Sequence, residues 1–339
     1  MIPDYKVHIN GKDITPNIAS RLVELSINDN SGVQNDRVTL ELDDREPYIE
    51  LPVKGDEMHV WLGYEDLPDT DAPVRGLVDW GSYEIDEVEV GRDPARRITV
   101  TARPKGTQTG GDMKSIKTRT WEGATYQQVA DKIASEHGLK AQVHPSLADK
   151  QVPDTQQQAM SDQAFINLIA NRTDSVVKVT DGKLFIGPRA PATAAGDGQP
   201  IEAVTIHESD LDRWSVTMQS RGNHKEVVTK VYDADAAKEK TVAVASPTAG
   251  ANNSRAQVAT YAASPEAAQQ EAGSMAGQLG RESDTLDWSG IGLPHVRAES
   301  RLRIVGLRPG VRDVWLITSI THTLNESGLK SSSNCEVPK

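Results

Sequence analysis

The sequence between residues 121 and 186 decides how the rest of the chain is organised. It contains WEGATYQQVADKIASEHGL at 121–139, SDQAFINLIANRT at 161–173 and VVKVTDGKLFIG at 176–187. These pieces predict a helix, a second helix and a β-hairpin. They form the strongly helical part of the first 260 residues, and strand-like segments lie on both sides of them. The chain is therefore predicted to be two β modules joined by a small helical module.

The first predicted helix has a clear beginning and end. Thr125 and Gln128 have the spacing of a capping box, in which each side chain satisfies a free backbone N–H of the first turn. Gly138 can adopt the left-handed conformation that closes a helix. Apolar residues recur between these two points with a 3.6-residue period, as in a helix with one buried face. They are Tyr126, Val129, Ala130 and Ile133.

The second helix is predicted to begin at Ser161 and to bury Phe165, Leu168 and Ile169. A hairpin should follow, because Asp181-Gly182 separates two short apolar runs and both turn residues tolerate positive φ.

Residues 1–103 predict an all-β module. Apolar and polar residues alternate in several short runs, and period two indicates strands with one buried face. The alternation changes phase at Asp86-Glu87, which predicts a β-bulge. Many short strands with turns between them are typical of a sandwich or barrel. The polar, glycine-rich residues 104–120 are predicted to be a connector.

A second β module is predicted over residues 191–339, after an α+β insert module at 104–190. Residues 187–200 have the composition of a linker, and residues 245–256 that of a mobile loop. A helix at about 264–282 should begin at Ser264-Pro265-Glu266 and end at Gly280. The sequence does not decide whether the two β modules are structural relatives.

Composition limits the possible functions. The net charge of −12 and the pI of about 5.2 argue against nucleic-acid binding, which needs clustered Lys and Arg. Cys335 is the single cysteine, which excludes a disulfide framework within the chain. The N-terminus lacks the features of a signal peptide, and no segment is apolar enough for a membrane span. We expect synthesis in the bacterial cytoplasm and no membrane insertion.

Chemical motifs are absent from the sequence. There is no P-loop, dinucleotide fingerprint or nucleophile elbow, and the eight histidines lack the spacing of metal ligands. The carboxylate pairs Glu84/Asp86 and Glu87/Glu89 are interpreted as a solvated strand face. His137 is interpreted as a helix-terminal residue, and Trp121 as an anchor that packs the insert onto its neighbour. The sequence thus predicts no catalytic, cofactor-binding or metal-binding residue.

The order of these patterns resembles the phage late control D proteins, which are hub proteins of contractile-tail baseplates. The first motif is Thr125-Tyr126-x-x-Val129-Ala130-x-x-Ile133-Ala134-x-x-His137-Gly138-Leu139. It is followed by Ser161-Asp162-x-x-Phe165-x-x-Leu168-Ile169-Ala170, by Asp181-Gly182-Lys183-Leu184, and by Asp313-Val314-Trp315-Leu316-Ile317-x-x-Ile320-x-His322 with Ser327-Gly328. The family is similar to the hub portion of type VI secretion VgrG proteins and to the hubs of R-type pyocins.

The resemblance implies a structural role without an active site. Hubs of this family are homotrimers between a hexameric tail tube and a trimeric spike, in contact with other baseplate proteins in an assembled virion or pyocin. The resemblance also implies that both β modules are barrels like those of tube proteins. Two β modules in each of three chains make six, the number that a sixfold tube requires. We expect a closed ring with a contact area above ~2,000 Å² between subunits.

Alternatives remain at this point. The insert could be a peptidoglycan-binding module of a tail tip, which would need exposed aromatics among Trp121, Tyr126 and Phe165. A hydrolase is disfavoured by the missing motifs. A further hypothesis is that acidic residues line a central channel and repel DNA during its passage.

Overall fold

The computed structural model describes residues 1–32, 36–66, 74–104, 112–152, 156–180, 182–189, 203–218, 224–233, 238–245, 255–262, 265–281 and 284–338. The predicted fold class, mainly β with an α+β insert, is confirmed. The predicted turn residue Asp181 lies outside the described residues. So do 105–111 of the predicted connector, 190–200 of the predicted linker, 246–254 of the predicted loop and the predicted cap Ser264.

The first β module comprises the strands and short helix that precede residue 104. They are β1 (Pro3–Ile9), β2 (Lys12–Asp13), α1 (Thr15–Ile18), β3 (Leu22–Asn30), β4 (Arg37–Asp43), β5 (Glu57–Tyr64), β6 (Gly76–Arg92) and β7 (Arg96–Arg103). Alternate residues of these strands share one apolar core, as period-two patterning requires. The predicted bulge is confirmed, because the register of β6 on β7 shifts between Ile85 and Glu87.

The insert follows with its own core. Its elements are a 3-10 turn (Asp112–Lys114), β8 (Ile116–Thr120), α2 (Tyr126–Glu136), β9 (Lys140–Val143), α3 (Pro145–Ala148), β10 (Gln156–Ser161), α4 (Asp162–Arg172), β11 (Ser175–Thr180) and β12 (Lys183–Pro188). The capping box of Thr125 and Gln128 is present, the four predicted α2 residues are buried, and Gly138 has a φ of +65°. Ser161 caps α4, and β11 and β12 form the predicted hairpin.

Three details of the insert prediction were wrong. Residues 116–120 form strand β8 rather than a connector, since β-branched residues alternate there with basic ones and β10 pairs with them. Ile166 of α4 is fully buried, because it belongs to the insert core, whereas Leu168 is only partly buried. The predicted linker begins too early, since Gly187 and Pro188 belong to β12.

The second β module comprises strands near the C-terminus. They are β13 (Val204–His207), β14 (Leu211–Met218), β18 (Asp284–Ile291), β19 (Arg301–Val305), β20 (Val314–Asn325) and β21 (Gly328–Glu336). A 3-10 turn (Glu208–Asp210) connects β13 to β14. These strands bury an apolar core that contains Trp288 and Trp315.

A separate three-stranded sheet interrupts this module, where a continuous module with one helix was predicted. It consists of β15 (Glu226–Asp233), β16 (Lys238–Ala245) and β17 (Arg255–Ala262), and it carries α5 (Pro265–Arg281). Ala268, Ala272 and Ala276 of α5 are buried, as their spacing predicted. They lie in two small cores of their own, so the helix covers this sheet instead of the module's main sheet. The helix also continues past Gly280 to Arg281.

Both β modules belong to one continuous sheet. Its strand order is β14-β18-β21-β20-β3-β4-β7-β6-β5-β1-β2, with β19 paired to β20 and β13 paired to β19. The modules meet where β20 pairs antiparallel with β3, with Ser319 opposite Asn30 and Asn325 opposite Glu24.

The two modules repeat the same strand order. In the first it is β3-β4-β7-β6-β5-β1, and in the second it is β14-β18-β21-β20-β19-β13, with strands taken in the same sequence along the chain. The bulges coincide as well. The register of β3 on β4 shifts after Leu22 and that of β14 on β18 after Leu211. The register shift in β6 after Ile85 corresponds to the one in β20 after Ile317.

The repeat has one departure. β1 pairs antiparallel with β5, whereas β13 pairs parallel with β19. Since the other pairs agree in direction and the bulges agree in position, the two β modules are structural relatives.

Candidate functional site: contacts between modules and open sheet edges

A buried carboxylate organises one side of the insert. Asp162, at the start of α4, is fully buried. Its Oδ2 accepts hydrogen bonds from Lys117 Nζ at 2.6 Å and His137 Nε2 at 2.8 Å. Its Oδ1 accepts from Gln157 at 2.8 Å and also from Arg119. We call these five residues the Asp162 cluster.

The electrostatics of this cluster favour a charged carboxylate. Burial alone would raise the pKa of Asp162, but hydrogen bonds from Gln157, Lys117, His137 and Arg119 outweigh it and hold the pKa below its usual range. Glu136 lies beside the cluster. Burial would raise its pKa too, but bonds from basic neighbours, Lys117 first, lower it to about 2. Ion pairs from Lys117 and Arg119 therefore join β8 to Glu136 of α2 and to Asp162 of α4.

The cluster brings together donors that could hold a metal. Ligand atoms of Glu136, His137 and Asp162 lie within 4.8 Å of one another. The ammonium of Lys117 lies 2.8 Å from Glu136 and 2.6 Å from Asp162, and Arg119 bonds both carboxylates. A divalent cation would be repelled by these two cations, so the residues do not fit a resident metal ion.

The structure corrects three sequence interpretations of single residues. His137 is a member of the Asp162 cluster as well as a helix-terminal residue. Trp121 lies inside the insert's own core and stacks on Phe165 with ring centroids 5.8 Å apart, so it does not anchor the insert to a neighbour. Asp86, predicted to be solvated, is 9% exposed and forms an ion pair with Arg103 at 2.9 Å, because the bulge turns it away from the outer face.

Lys178 of β11 joins the insert to the first β module. Its Nζ contacts Asp29 Oδ1 on β3 and lies 3.3 Å from Asp36 Oδ2. Asp29 Oδ2 also accepts a hydrogen bond from the backbone N–H of Ala298 at 2.8 Å, in the loop between β18 and β19. Three parts of the chain therefore converge on one buried carboxylate.

The Lys178 contact contains two carboxyl groups, those of Asp29 and Asp36, and one ammonium group. Burial raises the pKa of Asp36 to about 7, and neighbouring Asp29 adds to this, while Lys178 opposes it. For Lys178 itself, burial would lower the pKa, but the attraction of Asp29 and Asp36 outweighs it and raises the pKa above the usual value. The contact can release a proton near neutral pH.

Arg281, at the end of α5, joins two other parts of the chain. Its side chain forms ion pairs with Asp174, which follows α4, and with Glu336 of β21 at 3.0 Å. Arg172 of α4 adds a 3.2 Å contact to Glu271 of α5. The α5 sheet is thus held to both the insert and the second β module.

The loop after β18 packs the two β modules together. Arg297 donates to the backbone oxygen of Asp79 at 2.7 Å, and its guanidinium lies 3.4 Å from the ring centroid of Trp80. Tyr64 donates to the backbone oxygen of Gly292 at 2.9 Å. These contacts fix the loop of the second module against β5 and β6 of the first.

Two strands of the sheet combine an unpaired side with exposed apolar side chains. Among the described residues, β14 pairs with β18 alone, and the stretch Glu87–Arg92 of β6 pairs with β7 alone. Exposed apolar side chains lie on both strands, with Met218 59% and Val90 51% exposed. An open strand with apolar side chains is a site for pairing with another chain.

The sequence matches a known protein family. A family model described as "Phage tail baseplate hub (GPD)" matches residues 83–328. The chain belongs to this family. It is therefore a hub protein of a phage tail baseplate.

Relatives of the hub protein agree with this assignment. The chain is 26% identical over 378 residues to a "Probable baseplate hub protein" of Escherichia phage 186, covering 99% of this chain and 93% of that protein. The 43 kDa tail protein of the Shewanella oneidensis prophage MuSo2 has the same fold, with a TM-score of 0.71 at 15% identity over 99% of this chain and 98% of that one.

The fold extends beyond phage tails. A component of the Escherichia coli type VI secretion system matches with a TM-score of 0.52 at 10% identity, over 94% of this chain and 74% of that protein.

Two titratable groups of the hub protein, Cys335 and His322, are buried. Cys335 is 2% exposed, and burial raises the pKa of its thiol to about 12. His322 is fully buried between Ser331 and the backbone oxygen of Val296, and burial lowers its pKa to about 4. Within the described ranges, no helix has the length and apolar character needed to cross a bilayer.

The residues that hold the hub's modules together were not predicted from the sequence. Lys178 was assigned to a hairpin strand only, although a lysine in an otherwise apolar run is a signal for a buried ion pair. Arg281 and Asp162 carried no comparable signal, because their partners are distant in sequence.

Proposed function

We propose that the hub protein acts as a homotrimeric ring that adapts the hexameric tail tube to the trimeric spike. The observation that carries this proposal is the repeated strand order of the two β modules within one continuous sheet. Three copies supply six equivalent modules, so one face of the ring can match a sixfold tube. The paired modules of each chain keep true threefold symmetry for the spike.

A head-to-tail ring fits the shape of the single chain. Heterologous contacts close into a ring when the rotation between copies returns to the start. One chain already pairs a strand of one module with a strand of the other, β3 with β20, and among the described residues the corresponding strands β14 and β6 each have an unpaired side. Closing the ring would cover these edges, which otherwise invite uncontrolled association.

We further propose that residues 1–103, 104–190 and 191–339 act as three mechanical units without catalytic activity. The charged contacts of Lys178 and Arg281 lie at the borders between these units. A hub that transmits force during tail contraction needs such borders to hold, and separating the units there would leave buried charges without their partners, which is costly.

The peptidoglycan-binding alternative has little support. The three aromatic side chains that it needs, Trp121, Tyr126 and Phe165, are at most 8% exposed and form the insert core. No aromatic among them is available as a sugar platform.

Sedimentation equilibrium of the full-length chain, alone and mixed with its tube and spike proteins, tests the proposal. The expected mass of the assembled hub is three times the 36.8 kDa of one chain. A mass of one chain at micromolar concentration, with both partner proteins present, would contradict the trimeric ring.

A further inference from the structure

Within one chain, the two β modules contact each other through the pairing of β3 with β20. The strands that correspond to these two can form the same contact between two copies of the chain. β20 has β21 on one side and β3 on the other along Ser319–Asn325. The corresponding strand of the first module is β6, and the corresponding partner strand of the second module is β14. In the part of the chain that the structure describes, both have a free side at the equivalent place.

The geometry points to antiparallel pairing of β14 of one copy with residues 87–92 of β6 in the next copy. This inference rests on the proposed ring, since a ring of equivalent modules repeats one contact around its circumference. The partner is a second copy of this chain. The contact that serves as the template, β3 with β20, is itself antiparallel and seven residues long, from Glu24 to Asn30.

The bulges set the register of the proposed pair. The bulge residue Asp86 of β6 corresponds to Thr318 of β20, and Val23 of β3 corresponds to Asp212 of β14. The in-chain register places Ile320 opposite Asp29, His322 opposite Ile27 and Leu324 opposite Leu25. Transferred to the free edges, it places Val88 opposite Met218, Val90 opposite Val216 and Arg92 opposite Trp214.

The side chains brought together in this register are complementary. Two of the pairs are apolar, and their most exposed members are Val90 and Met218. The third places the guanidinium of Arg92 beside the indole of Trp214, an arrangement that supports a cation–π contact. One residue further along, Asp93 would lie opposite Arg213, and opposite charges on facing strands attract.

Side chains in the β3–β20 pair are more buried than the corresponding side chains on the unpaired strand β6. His322 and Ile27, the residues that correspond to Val90 and Val216, are both fully buried. Val90 is instead 51% exposed on a strand of the same type. The neighbouring strand β3, which β20 has and β6 lacks, contributes to this difference.

An open cleft beside Val90 gives the incoming strand a place to bury its side chains. The cleft has a volume of about 350 Å³ and is lined by Tyr48, Leu51 and Val90 among others. Tyr48 is 54% and Leu51 44% exposed, although both are large apolar residues. Val216 and Trp214 would lie on this side of the sheet in the proposed register.

Disulfide trapping tests the pairing and its register. Facing residues on antiparallel strands have Cα atoms roughly 4.5–5.5 Å apart, within the range that a disulfide bridges. The test variant combines Val90→Cys with Val216→Cys in the full-length chain, with tube and spike proteins present. The matched control combines Val90→Cys with Thr217→Cys, whose side chain points to the opposite face. The native Cys335 is buried and gives little background.

Mild oxidation of the test variant should produce covalent dimers and trimers on a non-reducing gel, at least ten-fold more than the control variant. A trimer of native mass without this cross-link, or with equal cross-linking in both variants, would overturn the strand pairing and leave the ring intact. A chain that stays monomeric would overturn the ring as well, so the two failures are distinguishable.

A charge substitution supplies an independent measurement. Val90→Glu should weaken trimer formation at least ten-fold, because it places a carboxylate in the apolar part of the contact. Val53→Glu is the matched control, since Val53 is 65% exposed and lies outside both strands. Equal trimer formation by the two variants would contradict the proposed interface.

Discussion

Asp36 provides a sharp test of how the insert is held to the first β module. Burial raises the pKa of its carboxyl to about 7, with Asp29 adding to the effect. The titratable groups that share its cleft are Asp29 and Lys178, which contact each other, and His59, Asp79, Tyr83 and Arg297. One buried lysine therefore faces two carboxylates, and the second is costly to ionise.

The sign of the pH effect follows from comparing the folded and unfolded chains. The pKa of Asp36 is higher in the folded chain than the value of about 3.9 for an unfolded aspartate. Between these two values the folded chain binds more protons, so its stability falls as the pH rises through this window and stays low above it. Each tenfold change in proton affinity corresponds to ~1.4 kcal/mol, so the ionised state costs roughly 4 kcal/mol at alkaline pH.

The variant Asp36→Asn removes this titration and keeps an acceptor for the N–H of Asn30, which lies 2.9 Å from Asp36 Oδ1. We expect the unfolding free energy of the variant, relative to wild type, to increase by about 2–3 kcal/mol from pH 5 to pH 8.5. In thermal unfolding the difference in Tm should change by roughly 3–6 °C over the same range.

Differential scanning calorimetry of the two proteins at matched pH values measures this change, and contributions from other titrating groups cancel in the difference. Asp29→Asn is the informative control, because Asp29 bonds both Lys178 and the N–H of Ala298 and its loss should destabilise the chain at every pH. A difference between Asp36→Asn and wild type that is independent of pH would refute the reasoning.

Other contacts give further predictions. Asp162→Asn leaves the basic side chains of its cluster without their main acceptor and should lower the unfolding free energy by ~2–4 kcal/mol in urea titrations. Asp131 is exposed on α2, so the control Asp131→Asn should change the unfolding free energy by less than ~0.5 kcal/mol. Equal effects of the two variants would contradict the cluster's role. Arg281→Met removes two ion pairs at the border of α5 and should increase hydrogen exchange in α4 and α5, whereas Arg303→Met, whose ion pair is more than half exposed, should not. Cys335 should resist alkylation in the folded chain and react on denaturation, because burial raises its thiol pKa to about 12; fast labelling of the native protein would contradict the core assignment.

Local patterns predicted much of the secondary structure. Three local features were predicted correctly because they depend on neighbouring residues alone. They are the capping box at Thr125, the helix-closing Gly138 and the bulge near Asp86. Strand β8 was missed because its stability comes from β10 and from Asp162, which are about 40 residues away.

The structural likeness of the two β modules could not be predicted from the sequence, for a physical reason. Strand order and bulge position depend on pairing between distant segments, and quite different residues satisfy the same pairing. Ile98 of β7, for example, corresponds to Ser331 of β21, which hydrogen bonds the buried His322. The ion pairs that Lys178 and Arg281 form between modules were not predicted either, because the partners of each residue are more than 50 residues away in the sequence.

In the proposed ring, two related β modules from each of three chains make six modules in all. Class averages from electron cryo-microscopy of the assembled hub, viewed along its axis, test this most directly. Six lobes of similar size are expected around a central opening, with threefold symmetry from the insert and the α5 sheet. A ring with three lobes, or an assembly with another number of copies, would contradict the proposed ring.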